Sequence, residues 1–225
     1  MHGKVIVVTG AFGVLGHAVS ARAKAGGARV AMIDHAPVPQ EFAADPLALG
    51  GVDLTKSEPA MRAMHQVRAS AGRIDALMNI AGGFTWRTLE DSDCALWDTM
   101  HAINLMTAVN ASKAAMPHLI ETSGAIVNVG AAGALKAGAG FGAYAASKSG
   151  VHRLTESLAE ELKGRVRVNA VLPSILDTAQ NRKDMPKADP KTWVQPDDLA
   201  KVMLFLASDD ARAITGALVP VTGQV

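Results

Sequence analysis

The pattern that most narrows what this chain can fold into is an alternation of short β-branched runs with longer Ala-rich stretches of helical period. Val5–Val8, Arg29–Ile33, Ile74–Ile80, Ala125–Val129, Arg165–Leu172 and Ala217–Val221 read as strands. Helices are predicted near 14–26, 57–71, 92–116, 143–163 and 196–208, the last opened by Pro196 with Asp197 and Asp198 at its positive end. Apolar runs separated by helices need cover on both faces, and each parallel step needs a crossover. The expected fold is therefore α/β: a doubly wound parallel sheet in one domain spanning 1–225. A further strand is expected to end at Asp53. The Pro-containing stretch Ala36–Gly51 before it has weak helical period, so its crossover helix should be short or absent. Ser174–Trp193 is the one long irregular connection, and such segments are usually functional or mobile.

Length and charge exclude several classes of function. At 225 residues a single core buries roughly 70–75% of the unfolded surface, so no disulfide or metal is needed as a staple. The lone Cys94 builds neither, and the seven histidines, His17, His35, His101 and His152 among them, show no metal-ligand spacing. No metal is expected. Twenty-two Lys and Arg against 21 Asp and Glu leave a net charge of +1 without a basic cluster, which argues against nucleic acid or an anionic membrane as partner. No apolar run reaches the roughly 18–20 residues of a membrane span. Lys4-Val5-Ile6-Val7-Val8 is too short an apolar stretch for a signal peptide, so the expected location is the cytoplasm.

The first strand runs into Thr9-Gly10-Ala11-Phe12-Gly13-Val14-Leu15-Gly16 and then a helix. Glycines allow a tight turn and close backbone approach to a pyrophosphate, while the helix N-terminus offers free N–H groups. Gly10, Phe12, Gly13, Val14, Leu15 and Gly16 are the candidate phosphate cradle. Asp34 ends the second strand 18 residues after Gly16, where a carboxylate binds the adenosine ribose hydroxyls and repels a 2′-phosphate. The reading is NAD, with NADH preferred over NADPH. Asp53, followed by Leu54, stands where it would meet the adenine amino group, or is a solvated loop acid.

Tyr144-Ala145-Ala146-Ser147-Lys148 holds the only tyrosine of the chain, with a lysine on the same helix face four residues later. An ammonium about 5 Å from a phenol, at an effective dielectric near 20, is worth roughly 3 kcal/mol, or about 2 pK units in favour of phenolate. That suits general acid/base work.

Together these residues resemble the short-chain dehydrogenase/reductase family over essentially the whole chain. The matching positions are the Thr9–Gly16 loop, Asp34, Asp53-Leu54, Asn79-Ile80-Ala81-Gly82, Asn104, Tyr144 with Lys148, and Pro173. The resemblance implies strand order 3-2-1-4-5-6-7 and NAD(P)-dependent hydride transfer. It implies Tyr144 as proton donor or acceptor, Lys148 on the nicotinamide ribose and Asn104 holding a proton-relay water. Ala81, Gly82, Pro173 and Thr178 fall on the cofactor side, Thr178 as partner of the nicotinamide amide or as a loop cap. Family members commonly form dimers or tetramers; a homodimer or homotetramer is expected through Ala-rich faces of helices 92–116 and 143–163.

Two departures bear on function. The middle glycine is Gly13, one position early, with Val14 in its usual place. The catalytic serine of the family, 13 residues before the tyrosine, falls on Ala131. Losing one donor to a developing oxyanion typically costs about 2.7–4 kcal/mol, which penalises ordinary ketone chemistry. One branch of the family, dihydropteridine reductase, is similar in both departures and in Leu176-Asp177-Thr178-Ala179-Gln180-Asn181-Arg182-Lys183-Asp184-Met185-Pro186-Lys187-Ala188-Asp189 followed by Trp193. That resemblance implies reduction of a quinonoid dihydropterin, an electron-poor C=N system that accepts hydride without a dedicated carbonyl donor. Asn104 is a feature of the ordinary dehydrogenases and points toward a general carbonyl or alcohol oxidoreductase. A cofactor-binding regulatory protein is the third reading, disfavoured by the ordered Tyr144/Lys148 pair. Phe84, Trp86, Ala131 and Trp193 are the candidate walls for a flat small-molecule substrate.

Overall fold

The computed structural model describes residues 1–225. Seven parallel strands run in the order 3-2-1-4-5-6-7: β1 Val5–Thr9, β2 Arg29–Ile33, β3 Ala48–Leu49, β4 Ala76–Asn79, β5 Ala125–Val129, β6 Arg167–Pro173 and β7 Leu218–Val221. The helices are α1 Val14–Ala25, α2 Ser57–Ala71, α3 Cys94–His101, α4 Thr107–Thr122, α5 Gly142–Glu161, α6 Ala179–Asp184 and α7 Pro196–Ala207.

The unbroken apolar strands have a simple cause. Val5 and Val7 of β1 enter a core closed by α2, α4 and α5, while Ile6 and Val8 enter a second core closed by α1 and α7. Period-two alternation thus feeds two interiors rather than one interior and solvent. β1 pairs with β2 on one side and β4 on the other, so the chain reverses its winding between β1 and β4 and leaves a crevice beyond their C-terminal ends.

Two local expectations change, and a third, the short or absent crossover helix in Ala36–Gly51, holds. The strand placed before Asp53 is only Ala48–Leu49, and Asp53 lies in the loop beyond it. The missing crossover helix is a single turn, Gln40–Phe42, whose Phe42 stacks on Phe12 at 6.1 Å. The helix drawn over 92–116 is two helices joined by a wide π turn, Ala102–Met106, and α4 runs through Pro117 to Thr122. Ser174–Trp193 is tied down at its neck, where Leu176 bridges Val194 and Asp177 accepts from Arg182 and Gln195. Those hydrogen bonds, Arg182 first, hold the Asp177 carboxyl at about 2.

Candidate active site

Thr9 closes the end of the crevice. Its hydroxyl accepts from the N–H groups of Ile80 (3.0 Å) and Ala81 (3.2 Å) and donates to Met78 O, joining β1 to the exit of β4. Gly10 follows with φ +63°, and a Cβ there would lie 2.9 Å from the Ala81 backbone. At Gly16 a Cβ would lie 2.1 Å from Gly10 O. These two glycines let loop and helix lie against each other. Gly13 is different, since a Cβ there would meet only Gly10 O at 3.4 Å, an ordinary contact. Val14, at the usual glycine position, is 53% exposed on the lip of the cleft, so the shifted glycine leaves the cradle intact.

A cleft of about 700 Å³ joins this cradle, Asp34, Asp53, Leu54, Ala81 and Gly82. Gly13 caps α1 with its backbone alone, no side chain caps the helix, and no acid sits in its first turn. The first N–H groups therefore face the cleft in competition with nothing, which fits a pyrophosphate. Asp34 accepts from Phe12 N–H (2.9 Å) and Ala36 N–H (3.0 Å), fixing its carboxylate beside the loop. Asp53 accepts from the hydroxyl and N–H of Thr55, which lower its pKa, and Leu54 O accepts from Asn110.

At the other end of the crevice Asn104 stands in the π turn and is buried. Its amide grips Gly83 twice, accepting from the N–H and donating to the C=O at 3.0 Å each. It also donates to Ser147 Oγ at 3.1 Å, and Ser147 in turn donates to Tyr144 O. Lys148 is buried beside Gly82 and donates to Val129 O at 2.8 Å. The electrostatics differ from the sequence expectation. Burial pushes the Tyr144 phenol up to about 12 and the Lys148 ammonium down to about 8. The Coulomb argument for a lowered phenol left out desolvation, which disfavours the charged form of both groups. Ala131 is buried just beyond β5 and carries no hydroxyl.

The sequence reading missed Phe141. Its ring lies 5.3 Å from that of Phe84 and 6.3 Å from Tyr144, and Phe84 meets Tyr144 edge-on at 4.9 Å. Phe84 is 51% exposed, so this trio presents an open aromatic face beside the phenol. No spacing rule marks Phe141; its place after Gly140 at the head of α5 is visible only in three dimensions. Trp86 is half-exposed, packs on Gly140 and donates to Ala139 O, holding two loops together near the same mouth. Trp193 is 4% exposed beneath the C-terminal turn, where Gln224 N–H donates to Thr192 O. Its indole is committed to packing, which corrects the expectation of an open substrate wall. Pro173 ends β6, and Thr178 caps α6 by accepting from Asn181 N–H, which leaves its hydroxyl hydrogen available. Neither Pro173 nor Thr178 lines the cleft that holds the cradle.

Residues 4–189 match the family model described as short chain dehydrogenase, and the chain belongs to that family. It is an oxidoreductase of the short-chain dehydrogenase/reductase class. The meso-2,3-butanediol dehydrogenase of Serratia marcescens is 33% identical, over 98% of this chain and 93% of the relative. The 2-(S)-hydroxypropyl-CoM dehydrogenase 3 of Xanthobacter autotrophicus is 32% identical, over 98% and 95%. The crystal structure of carveol dehydrogenase from Mycobacterium avium in complex with NAD superposes with a TM-score of 0.87 at 28% identity, covering 99% of this chain and 97% of that one. None of these three is a dihydropteridine reductase. No helix is long and apolar enough to cross a membrane.

Proposed function

We propose that this protein is an NADH-dependent reductase of a small, planar, conjugated acceptor of the quinonoid dihydropterin type, acting in the cytoplasm as a homodimer or homotetramer. The observation that carries the reading is Ala131. The position of the catalytic serine holds no hydroxyl, while an aromatic face of Phe84 and Phe141 stands beside Tyr144. A carbonyl whose oxygen gains charge needs that donor; a conjugated C=N system spreads the charge over its own ring.

NADH fits the cradle of Gly10 to Gly16, with Asp34 on the adenosine ribose, Asp53 near the adenine, and Ala81, Gly82, Pro173 and Thr178 toward the nicotinamide. When bound, it supplies the hydride. Tyr144, with its phenol pushed up to about 12, keeps its proton at neutral pH and delivers it to the acceptor nitrogen. Lys148 holds the nicotinamide ribose, and its charge stabilises the phenolate left behind. Asn104 orders Gly83 and Ser147 around this pair. Burial keeps the phenol protonated in the resting enzyme but makes it a weaker acid, so its proton leaves only as the acceptor nitrogen gains charge from the hydride. The tetrad-like Asn104 and the alcohol dehydrogenases among the relatives support a second reading, a general carbonyl or alcohol oxidoreductase using Asn104, Tyr144, Lys148 and water. NADH consumption across a panel of quinonoid dihydropterin and simple ketones separates the two: faster pterin reduction supports the first, the opposite order the second.

A further inference from the structure

The exit of β5 passes the catalytic pair, and three consecutive residues there are each tied by a hydrogen bond to α5 or β6. Val129 O accepts from Lys148 Nζ at 2.8 Å. Gly130 N–H donates to Val171 O at 2.9 Å. Ala131 N–H donates to Nε2 of His152 at 3.3 Å. His152 follows Lys148 by one turn of α5 and is 2% exposed. Its ring lies directly under Gly130, where a Cβ would come within 2.5 Å of Nε2. The glycine is what lets imidazole and strand exit meet.

A ring nitrogen accepts a hydrogen bond only when it carries no proton, so this contact requires neutral imidazole with its hydrogen on Nδ1. The surroundings favour that form. Burial lowers the His152 pKa, and Arg153 and Lys148 lower it further against Glu156. These three charges all lie on α5. The strand exit and the Ala132–Ala134 turn carry no ionisable side chain, and Arg167, the only one on β6, lies at the far end of that strand.

We propose that neutral His152 is a positioning residue for hydride transfer: it fixes the Val129–Ala131 exit, which in this chain has no serine of its own, against the Tyr144/Lys148 helix. Protonating His152 turns the acceptor into a donor facing the Ala131 N–H. The Ala131 N–H loses its acceptor while Val129 O and Gly130 N–H stay bonded, and geometry beside the reacting groups loosens at the Ala131 end; misplacement of about 1 Å can cost up to 10²-fold in rate. This inference rests on the oxidoreductase class and not on the pterin assignment.

The test combines a structural and a kinetic readout on the full chain. Ring-nitrogen NMR, with the His152 signal assigned by its loss in His152→Gln, follows the imidazole while the Ala131 amide shift is recorded over the same pH range. The expected result is that both titrate together in the natural protein, at a pH below that of a free imidazole, and that the Ala131 amide stops responding in His152→Gln. With NADH and quinonoid dihydropterin, His152→Leu should lose at least about tenfold in kcat with NADH affinity retained, and His152→Gln, which keeps an acceptor, should recover most of the loss without the acid limb. An Ala131 amide indifferent to the imidazole, or natural kcat in His152→Leu, overturns the proposal. Should His152→Leu fail to fold, the NMR arm with His152→Gln decides. That arm needs no substrate, so failure of the pterin reading leaves it standing.

Discussion

Replacing Lys148 with methionine should stabilise the protein at neutral pH while disabling it. Lys148 is 5% exposed, and burial alone lowers its pKa from 10.5 to about 8. A base whose pKa falls on folding destabilises the folded state below that pKa, and the cost fades as pH rises toward the unfolded value. At pH 7 that cost is about 3 kcal/mol, and by pH 9.5 it is about 1 kcal/mol, at 1.36 kcal/mol per unit. Lys148→Met keeps chain length and apolar volume but strips Val129 O of its donor, which costs about 1–3 kcal/mol. The variant should therefore gain about 1 kcal/mol at pH 7, or roughly 2–4 °C in Tm for a chain of this size, and lose that advantage by pH 9.5. Urea melts of both proteins without cofactor at the two pH values measure it. A variant less stable at pH 7, or a difference that does not move with pH, would refute the argument that burial governs this site. Turnover of the variant should fall at least about tenfold in either case, since the phenolate loses its counter-charge.

Three further outcomes follow from the geometry. Tyr144→Phe should lower hydride transfer at least about tenfold while NADH fluorescence still titrates normally, because the phenyl ring keeps the aromatic contacts and loses only the proton-donating hydroxyl. Gly16→Ala places a Cβ 2.1 Å from a backbone oxygen that no rotamer change can move; it should cost about 3 kcal/mol in a melt and weaken NADH binding by at least tenfold. Asp34→Ala should erase most discrimination between NADH and NADPH in paired titrations, since the carboxylate that repels a 2′-phosphate is gone.

What was legible in the sequence was what local chemistry dictates. The unbroken Val5–Val8 run announced a strand covered on both faces, and Pro196 with Asp197 and Asp198 announced the start of the last helix, Pro196–Ala207. The cradle glycines were legible from their spacing between strand and helix; Gly16 answers to close approach within the loop, whereas Gly10 answers to the Ala81 backbone at the exit of β4. Features set by distant packing were not. The π turn around Asn104 leaves no mark on hydrophobic period, and the helix expected to stop near 116 continues through Pro117 to Thr122. Trp193 read as a wall from its residue type, yet burial is decided by the C-terminal turn that covers it. His152 read as one polar side chain among seven histidines; only the fold brings it under Gly130. Charge proximity at Tyr144 and Lys148 followed from helical spacing, whereas desolvation required knowing what lies above them.

The central claim is that a chain with Ala131 in place of the serine reduces conjugated, electron-poor rings in preference to ordinary carbonyls. Steady-state NADH oxidation by the natural protein, with quinonoid dihydropterin and a simple aliphatic ketone side by side, tests it directly. The account predicts a kcat/KM for the pterin at least about 10²-fold above that for the ketone, the factor one missing oxyanion donor is worth. A ketone reduced as fast as the pterin, or faster, would contradict it.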